Sequence, residues 1–410
     1  MSVPETLRPR FGVSPQTAYI AGIVSWFSGM GLQFVIIPTL AAVYLNSTAQ
    51  ELAIAQMSIS IPQLLLLFIT GQIADRSNAR RMLIGIHGLA IIPPFMTFWL
   101  VYSGNLTYWN IIVYGLCMGS LFAFSAPTRD ALMQRVMTTD IQRGVMASMI
   151  AQFTAQLAGF VLAGIAAPLA GPWTLPAMHA MVLAFGLFAA ALLPNLPPID
   201  HGPEPERSWL SGVKVVMRSD LLRPTLILNF AVGIFFVGPF MVSFPLIVRD
   251  IFGGGQLEIS VTSLAFWGGT IVTTVVMMRR SSIRRRGALM CFGVIVGSMG
   301  LIGACLAPSF VIMCACCTFW GLCAGFNMTM SRTIVQTAAP PRIRAQIMAL
   351  YNMGFIGSAP IGAFAMGYLS PLIGQRLAPT LSGLAIILVT LFMVGTTNIA
   401  RITDQDLEAA

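Results

Sequence analysis

Met82–Thr128, MLIGIHGLAIIPPFMTFWLVYSGNLTYWNIIVYGLCMGSLFAFSAPT, runs for 47 residues without one Asp, Glu, Lys or Arg. A helix needs about 20 apolar residues to cross the hydrocarbon of a bilayer, so this stretch is long enough to cross twice. Ser103-Gly104-Asn105 supplies the turn between the two crossings. A charge at mid-bilayer costs roughly 3 kcal/mol or more, so the run records selection against charge. Eight further charge-free runs flank it, at 11–50, 52–74, 144–199, 224–248, 259–278, 287–331, 345–375 and 377–400. Two of these, turning around Gly171-Pro172 and Ala307-Pro308, also hold two crossings each, which brings the total to twelve. The chain reads as an all-α membrane protein with 12 transmembrane helices.

The charges sit between the runs and give the orientation. Of the 23 Lys and Arg, all but Arg249 and Arg376 fall at the termini and in alternate loops. That asymmetry predicts both termini on the cytoplasmic side of the plasma (inner) membrane. The net charge of +9 then belongs to topology, with the lipid bilayer and its anionic headgroups as the counter-surface. A nucleic-acid role would need basic residues gathered on one folded face, and none is seen. Charged residues make up 9% of the chain, against about 25% in soluble domains, and mean hydropathy is +0.81. Met1–Arg10 leads straight into a span and reads as a cytoplasmic tail, not a cleaved leader.

Nothing in the sequence points to catalysis, a metal or a cofactor. There is no Gly-x-Ser-x-Gly, no phosphate-cradling Gly-x-x-x-x-Gly-Lys-Ser/Thr and no His-rich spacing. Cys314-Ala-Cys316-Cys317 would splay around a helix, so the seven cysteines, all inside spans, read as packing residues. An enzyme is not expected.

The longest polar interruption, Pro197–Arg223, contains an amphipathic stretch, Trp209–Leu222, suited to the membrane surface. It divides the chain into an N-terminal six-helix half (1–196), a cytoplasmic linker (197–222) and a C-terminal six-helix half (223–410) with a short tail. Fragments recur across the divide. Arg129 followed by Val145-Met146-Ala147 returns about 202 residues later as Arg332 followed by Ile347-Met348-Ala349. Arg80-Arg81 returns as Arg284-Arg285. The halves are pseudo-repeats.

The segment after span 2 reads Gly71-Gln-Ile-Ala-Asp75-Arg76-Ser-Asn-Ala-Arg80-Arg81. It resembles the loop motif of the major facilitator superfamily, in which a glycine, an acid four residues on and basic residues follow one another. Pro127-Thr-Arg129-Asp-Ala131-Leu132 resembles the stretch after span 4 in the branch that contains enterobactin exporters and macrolide efflux proteins. Gly212 to Arg223, Pro245 to Gly255 and Phe326 to Gly362 are similar to further segments of that branch, in the same order. The chain departs from the pattern at Arg279, where the second half would be expected to repeat the acid of Asp75.

The resemblance implies a twelve-helix transporter working by alternating access, with its substrate site near the midplane between the halves. It also implies a gating clasp of Gly71, Asp75, Arg76, Arg80 and Arg81, matched by Arg129, Asp130, Arg332 and Arg344. Spans 1, 4, 7 and 10, with parts of 2, 5, 8 and 11, then face the centre. Their neutral polar and aromatic residues become the cavity candidates: Gln33, Gln63, Tyr114, Gln152, Gln156, Asn229, Trp267, Trp320, Asn327 and Asn352. Hydrogen bonding between helices is the alternative for each of them. No Asp, Glu, Lys or Arg is placed well inside a span, while His87 and His179 are.

The expected function is export of an amphipathic small molecule, a siderophore or a hydrophobic drug, with protons as coupling ion and the protein acting as a monomer. An importer of the same fold is the first alternative. A transport-inactive sensor or scaffold is the second.

Overall fold

The computed structural model describes residues 12–136, 141–195, 209–278, 283–340, 343–403 and 406–407. Among them the regular architecture is helical throughout: α1 (Pro15–Tyr44), α2 (Ala49–Arg76), α3 (Ala79–Tyr102), α4 (Tyr108–Val136), α5 (Ile141–Ala170), α6 (Thr174–Leu192), the short α7 (Trp209–Arg218), α8 (Leu222–Asp250), α9 (Gln256–Met278), α10 (Arg286–Leu306), α11 (Phe310–Ala338), α12 (Arg344–Ile373) and α13 (Leu377–Thr396). Eleven of these, all but α2 and α7, are long and apolar enough among the described residues to cross a membrane. α2 is 28 residues long, and positions 52–74 within it carry no charge.

Local chemistry sets the helix ends. Ser14 accepts from the Thr17 N–H at the start of α1, where Pro15 occupies the first turn. Thr48 and Glu51 cap α2 reciprocally. The α3–α4 and α5–α6 turns pass through Gly104 and Gly171 at φ +72° and +102°, which glycine adopts without a Cβ penalty. Proline widens two helices. α1 ends in π turns, Thr39–Tyr44, directly after Pro38. α8 carries π turns at Gly233–Val237 and again at Pro239–Ser243, where the ring removes a rung of the hydrogen-bond ladder.

The outward faces are apolar: Trp109, Val311, Leu372 and Phe392 are each at least 70% exposed. In water such a surface would aggregate, whereas lipid solvates it.

The chain clusters into two compact units. The first holds Met1–Ser47, Ser58–Gly202 and Gly255–Ser260; the second holds Thr48–Met57, Pro203–Gly254 and Val261–Ala410. In the first, α1 packs along α5 and α6, and α3 along α4 and α6. The α1–α5 crossing is backbone on backbone: a Cβ on Gly31 would lie 2.3 Å from the Gln156 carbonyl oxygen, and one on Gly159 2.3 Å from that of Ser28. In the second unit α8 meets α12 in the same way. Cβ atoms there would lie 2.3 Å from the Gly362 carbonyl oxygen at Gly238 and 2.2 Å from that of Ile234 at Gly362. Gly119 of α4 against Ile59 has its counterpart in Gly321 of α11 against Phe266. The two units therefore share these close glycine contacts at corresponding helices. Small residues at such seams let helices gain dispersion energy where lipid offers no hydrophobic driving force.

The centre of the second unit is aromatic. Trp320 is fully buried, with ring centroids of Phe266 at 4.6 Å, Phe236 at 5.2 Å, Phe244 at 5.6 Å and Phe240 at 6.1 Å. α7 rests on α12, with Gly212 facing Gln346 and Leu350.

Candidate functional site

The expected clasp residues Gly71, Asp75 and Arg76 lie on α2, but their side chains fall outside the described residues. Their neighbours hold definite positions. Arg81 is exposed, and its backbone N–H donates to the Asn78 cap of α3. Arg80 donates from Nη2 to the Ala191 carbonyl at 2.9 Å, in the last turn of α6, where a cation complements the negative end of the helix. Beside it Asn78 Nδ2 donates to Asn195 Oδ1 at 2.8 Å. The start of α3 and the end of α6 are thus tied together. Asp130 and Arg332 are exposed. Arg344 is also exposed and donates to the Ala339 carbonyl at 3.3 Å.

Arg129 lies on α4, within the stretch Tyr108–Met133 that is long and apolar enough to cross a membrane, and its guanidinium turns into the first unit. The carbon of that group lies 4.8 Å from the Phe27 ring centroid and 5.4 Å from that of Trp26. Nη1 donates to Ser125 Oγ at 2.8 Å, one turn back on α4. The Tyr19 hydroxyl donates to the Arg129 carbonyl at 3.3 Å. Ring faces attract a cation electrostatically, more so when it is desolvated, and they let the helix continue past the charge. Counting charge-free runs ends a span at the arginine; the pair Trp26-Phe27 on span 1 was the signal that could have extended it.

The cavity candidates separate into satisfied and unsatisfied groups. In the first unit, Tyr114 on α4 and His179 on α6 share a buried hydrogen bond, with the hydroxyl 3.0 Å from Nδ1. Gln33 and Gln156 are buried at 5% and 3% exposure. Gln33 Oε1 and Gln156 Nε2 have no hydrogen-bond partner. Gln63 and Gln152 are half-buried. In the second unit, Asn229 Nδ2 donates to the Tyr351 carbonyl at 3.1 Å, and the Tyr351 hydroxyl lies 2.8 Å from Ser331 Oγ. Asn327 is buried and its Oδ1 is unpartnered. Trp267 is half-buried against Phe266, Asn352 is exposed, and Trp320 is enclosed by the four phenylalanines. A buried amide atom without a partner costs about 1–3 kcal/mol, a cost that a bound ligand with complementary groups would remove. The sequence did not single out Ser331 or Tyr351, whose roles come from their position opposite Asn229.

Comparison with known proteins follows the same lines. The model of the Major Facilitator Superfamily matches residues 18–363. Macrolide efflux protein A of Streptococcus pyogenes is 21% identical over 330 residues, which cover 78% of this chain and 81% of that protein. Among solved structures, the nucleoside transporter NupG superposes with a TM-score of 0.73 at 12% identity, covering 93% of this chain and 98% of that one. A POT family transporter in complex with 5-aminolevulinic acid gives a TM-score of 0.73 at 14% identity, over 96% and 98% of the two chains. A bacterial homolog of the human lysosomal transporter Spinster, in an inward-facing and occupied conformation, gives 0.66 at 14% identity, over 95% and 97%.

Proposed function

The chain belongs to the Major Facilitator Superfamily and is a multi-pass membrane transporter, and we propose that it exports an amphipathic small molecule by alternating access, in exchange for protons. The observation that carries this reading is the similarity to macrolide efflux protein A along about four-fifths of both chains. The neutral, partly unsatisfied amides Gln33, Gln156 and Asn327 supply hydrogen bonds of the kind that would orient such a molecule. Aromatic residues such as Trp26 in the first unit and Trp320 in the second are of the kind that supplies apolar contact. A siderophore or a hydrophobic drug has the required mixture of polar and apolar surface. In this proposal the protein sits in the plasma membrane with both termini in the cytoplasm. Asp75 with Arg76, Arg80 and Arg81 then forms the clasp that steadies one conformation. The membrane-embedded His87 and His179, together with Asp75 and Asp130, are the groups to examine for proton transfer.

The test is efflux from cells expressing the protein and preloaded with fluorescent hydrophobic dyes, with and without a protonophore. Export predicts faster dye loss than in control cells, abolished by the protonophore. Net accumulation of dye would replace export with uptake.

A further inference from the structure

Two helices change company along their length. α2 begins in the second unit, which holds Thr48–Met57, and continues in the first, which resumes at Ser58. α9 does the reverse: the first unit holds Gly255–Ser260 and the second resumes at Val261. The exchanged ends start 207 residues apart, at Thr48 and Gly255, and open on the same cap. The Thr48 N–H donates to Glu51 Oε2 at 2.8 Å, and the Gly255 N–H to Glu258 Oε2 at 2.7 Å.

Each end docks on a glycine within its unit. Gly367 of α12 lies against Gln50 and Ala53, and Gly164 of α5 lies against Leu257 and Ser260. These pairs keep the same 207-residue register. Further along, α2 presses on α4, with Ser58 against Gly115 and Ile59 against Gly119, and α9 on α11, with Phe266 against Gly321. Backbone contact thus fixes the body of each helix to one unit, while its first turns are held by the other.

Besides the glycine contact, a glutamine amide does the holding. Gln56 Nε2 donates to the Met241 carbonyl at 3.2 Å, and Gln256 Nε2 to the Ala163 carbonyl at 2.8 Å. Both glutamines are 7% exposed. Met241 lies in the second π turn of α8. The α-helical partner of its carbonyl would be the N–H of residue 245, and Pro245 has none. The Gln56 amide supplies a donor at that point. A buried amide bond of this kind meets little competition from water.

We propose that Gln56 and Gln256 form a paired latch. Their amides hold the exchanged ends of α2 and α9 in the state seen here, and the two release together when the protein changes state. They act on the helices and position them. In the proposed topology these ends lie on the side opposite the termini, so the latch governs opening to the outside. That last assignment rests on the alternating-access reading.

The test is hydrogen–deuterium exchange, read by mass spectrometry on the full-length protein in lipid nanodiscs, with no cargo and no gradient. Gln56→Met and Gln256→Met each keep side-chain length and remove the donor. Loss of one net hydrogen bond is expected to speed exchange about fivefold, and to do so at both ends at once. Gln56→Met then quickens peptides spanning 255–267 as well as 48–60, and Gln256→Met does the same in reverse. Gly367→Ala places a methyl group 2.5 Å from the Ala53 Cβ and removes no hydrogen-bonding group. It is expected to give the same two-ended pattern. Amides at the α4 seam, 115–119, should keep the parent rate. Acceleration confined to the mutated end, acceleration that reaches the α4 seam equally, or none at all would overturn the latch. A packing contact loosens only its own surroundings, so the distant end is the deciding readout. Failure of the latch leaves export standing, and failed dye efflux leaves the exchange result untouched.

Discussion

The Tyr114 hydroxyl and the His179 Nδ1 share a hydrogen bond in the interior of the first unit, and both residues are buried. Tyr114→Phe strands a buried ring nitrogen, at a cost of about 1–3 kcal/mol. A lower thermal midpoint is expected, and a Tyr114→Phe, His179→Leu pair should recover part of the loss, because both unsatisfied groups are then gone. An unchanged midpoint in Tyr114→Phe would mean that the bond contributes nothing. Asp75→Asn tests the clasp: insertion and fold are expected to persist while transport falls severely, and near-normal efflux would remove Asp75 from the mechanism. Residue types and their approximate depth were legible in the sequence. Partners were not, because a charge-free count says nothing of which face a side chain occupies. Arg129 shows the gap best, since its neighbours Trp26 and Phe27 lie about a hundred positions away in the chain.

The glycine seams carry the argument for helices. Gly31→Ala places a methyl group 2.3 Å from the Gln156 carbonyl oxygen, so α1 and α5 must move apart along their whole contact. Gly85→Ala, on α3, meets no atom within 4 Å and gains about 0.5–1 kcal/mol in helix propensity. The expected order of thermal midpoints is Gly85→Ala at or above the parent, with Gly31→Ala clearly below it; equal midpoints would refute backbone contact at the seam. The helices themselves were legible because lipid imposes both length and composition on them. The turns at Gly104 and Gly171 followed from small polar residues in the middle of long apolar runs. The π turns of α8 were not foreseeable, since Pro239 in an apolar run announces a kink without saying how the ladder accommodates it. Seam partners were equally hidden. A helix that is apolar all round has no polar face to point away from its neighbours.

Across the whole molecule, the lopsided distribution of arginine predicts that a fluorescent protein fused after Ala410 glows and that alkaline phosphatase at the same place stays inactive. The opposite pattern would invert the topology and, with it, the meaning of export. The repeat was visible in the sequence as scattered arginines, and the structure grounds it in matched glycine contacts. The same contacts set a timetable for biogenesis. α1 ends at Tyr44, and α5, which closes over its Gly31, begins only at Ile141. At about 5–20 residues per second, the ribosome delivers α5 roughly 5–20 s after α1. In that interval Ser28 and Gln33 stand in a newly inserted helix that lacks its main partner. The second unit repeats the delay between α8 and α12. A nascent chain stalled before α5 therefore presents an unfinished seam to the lipid, a natural point for insertion machinery or quality-control proteases to recognise it.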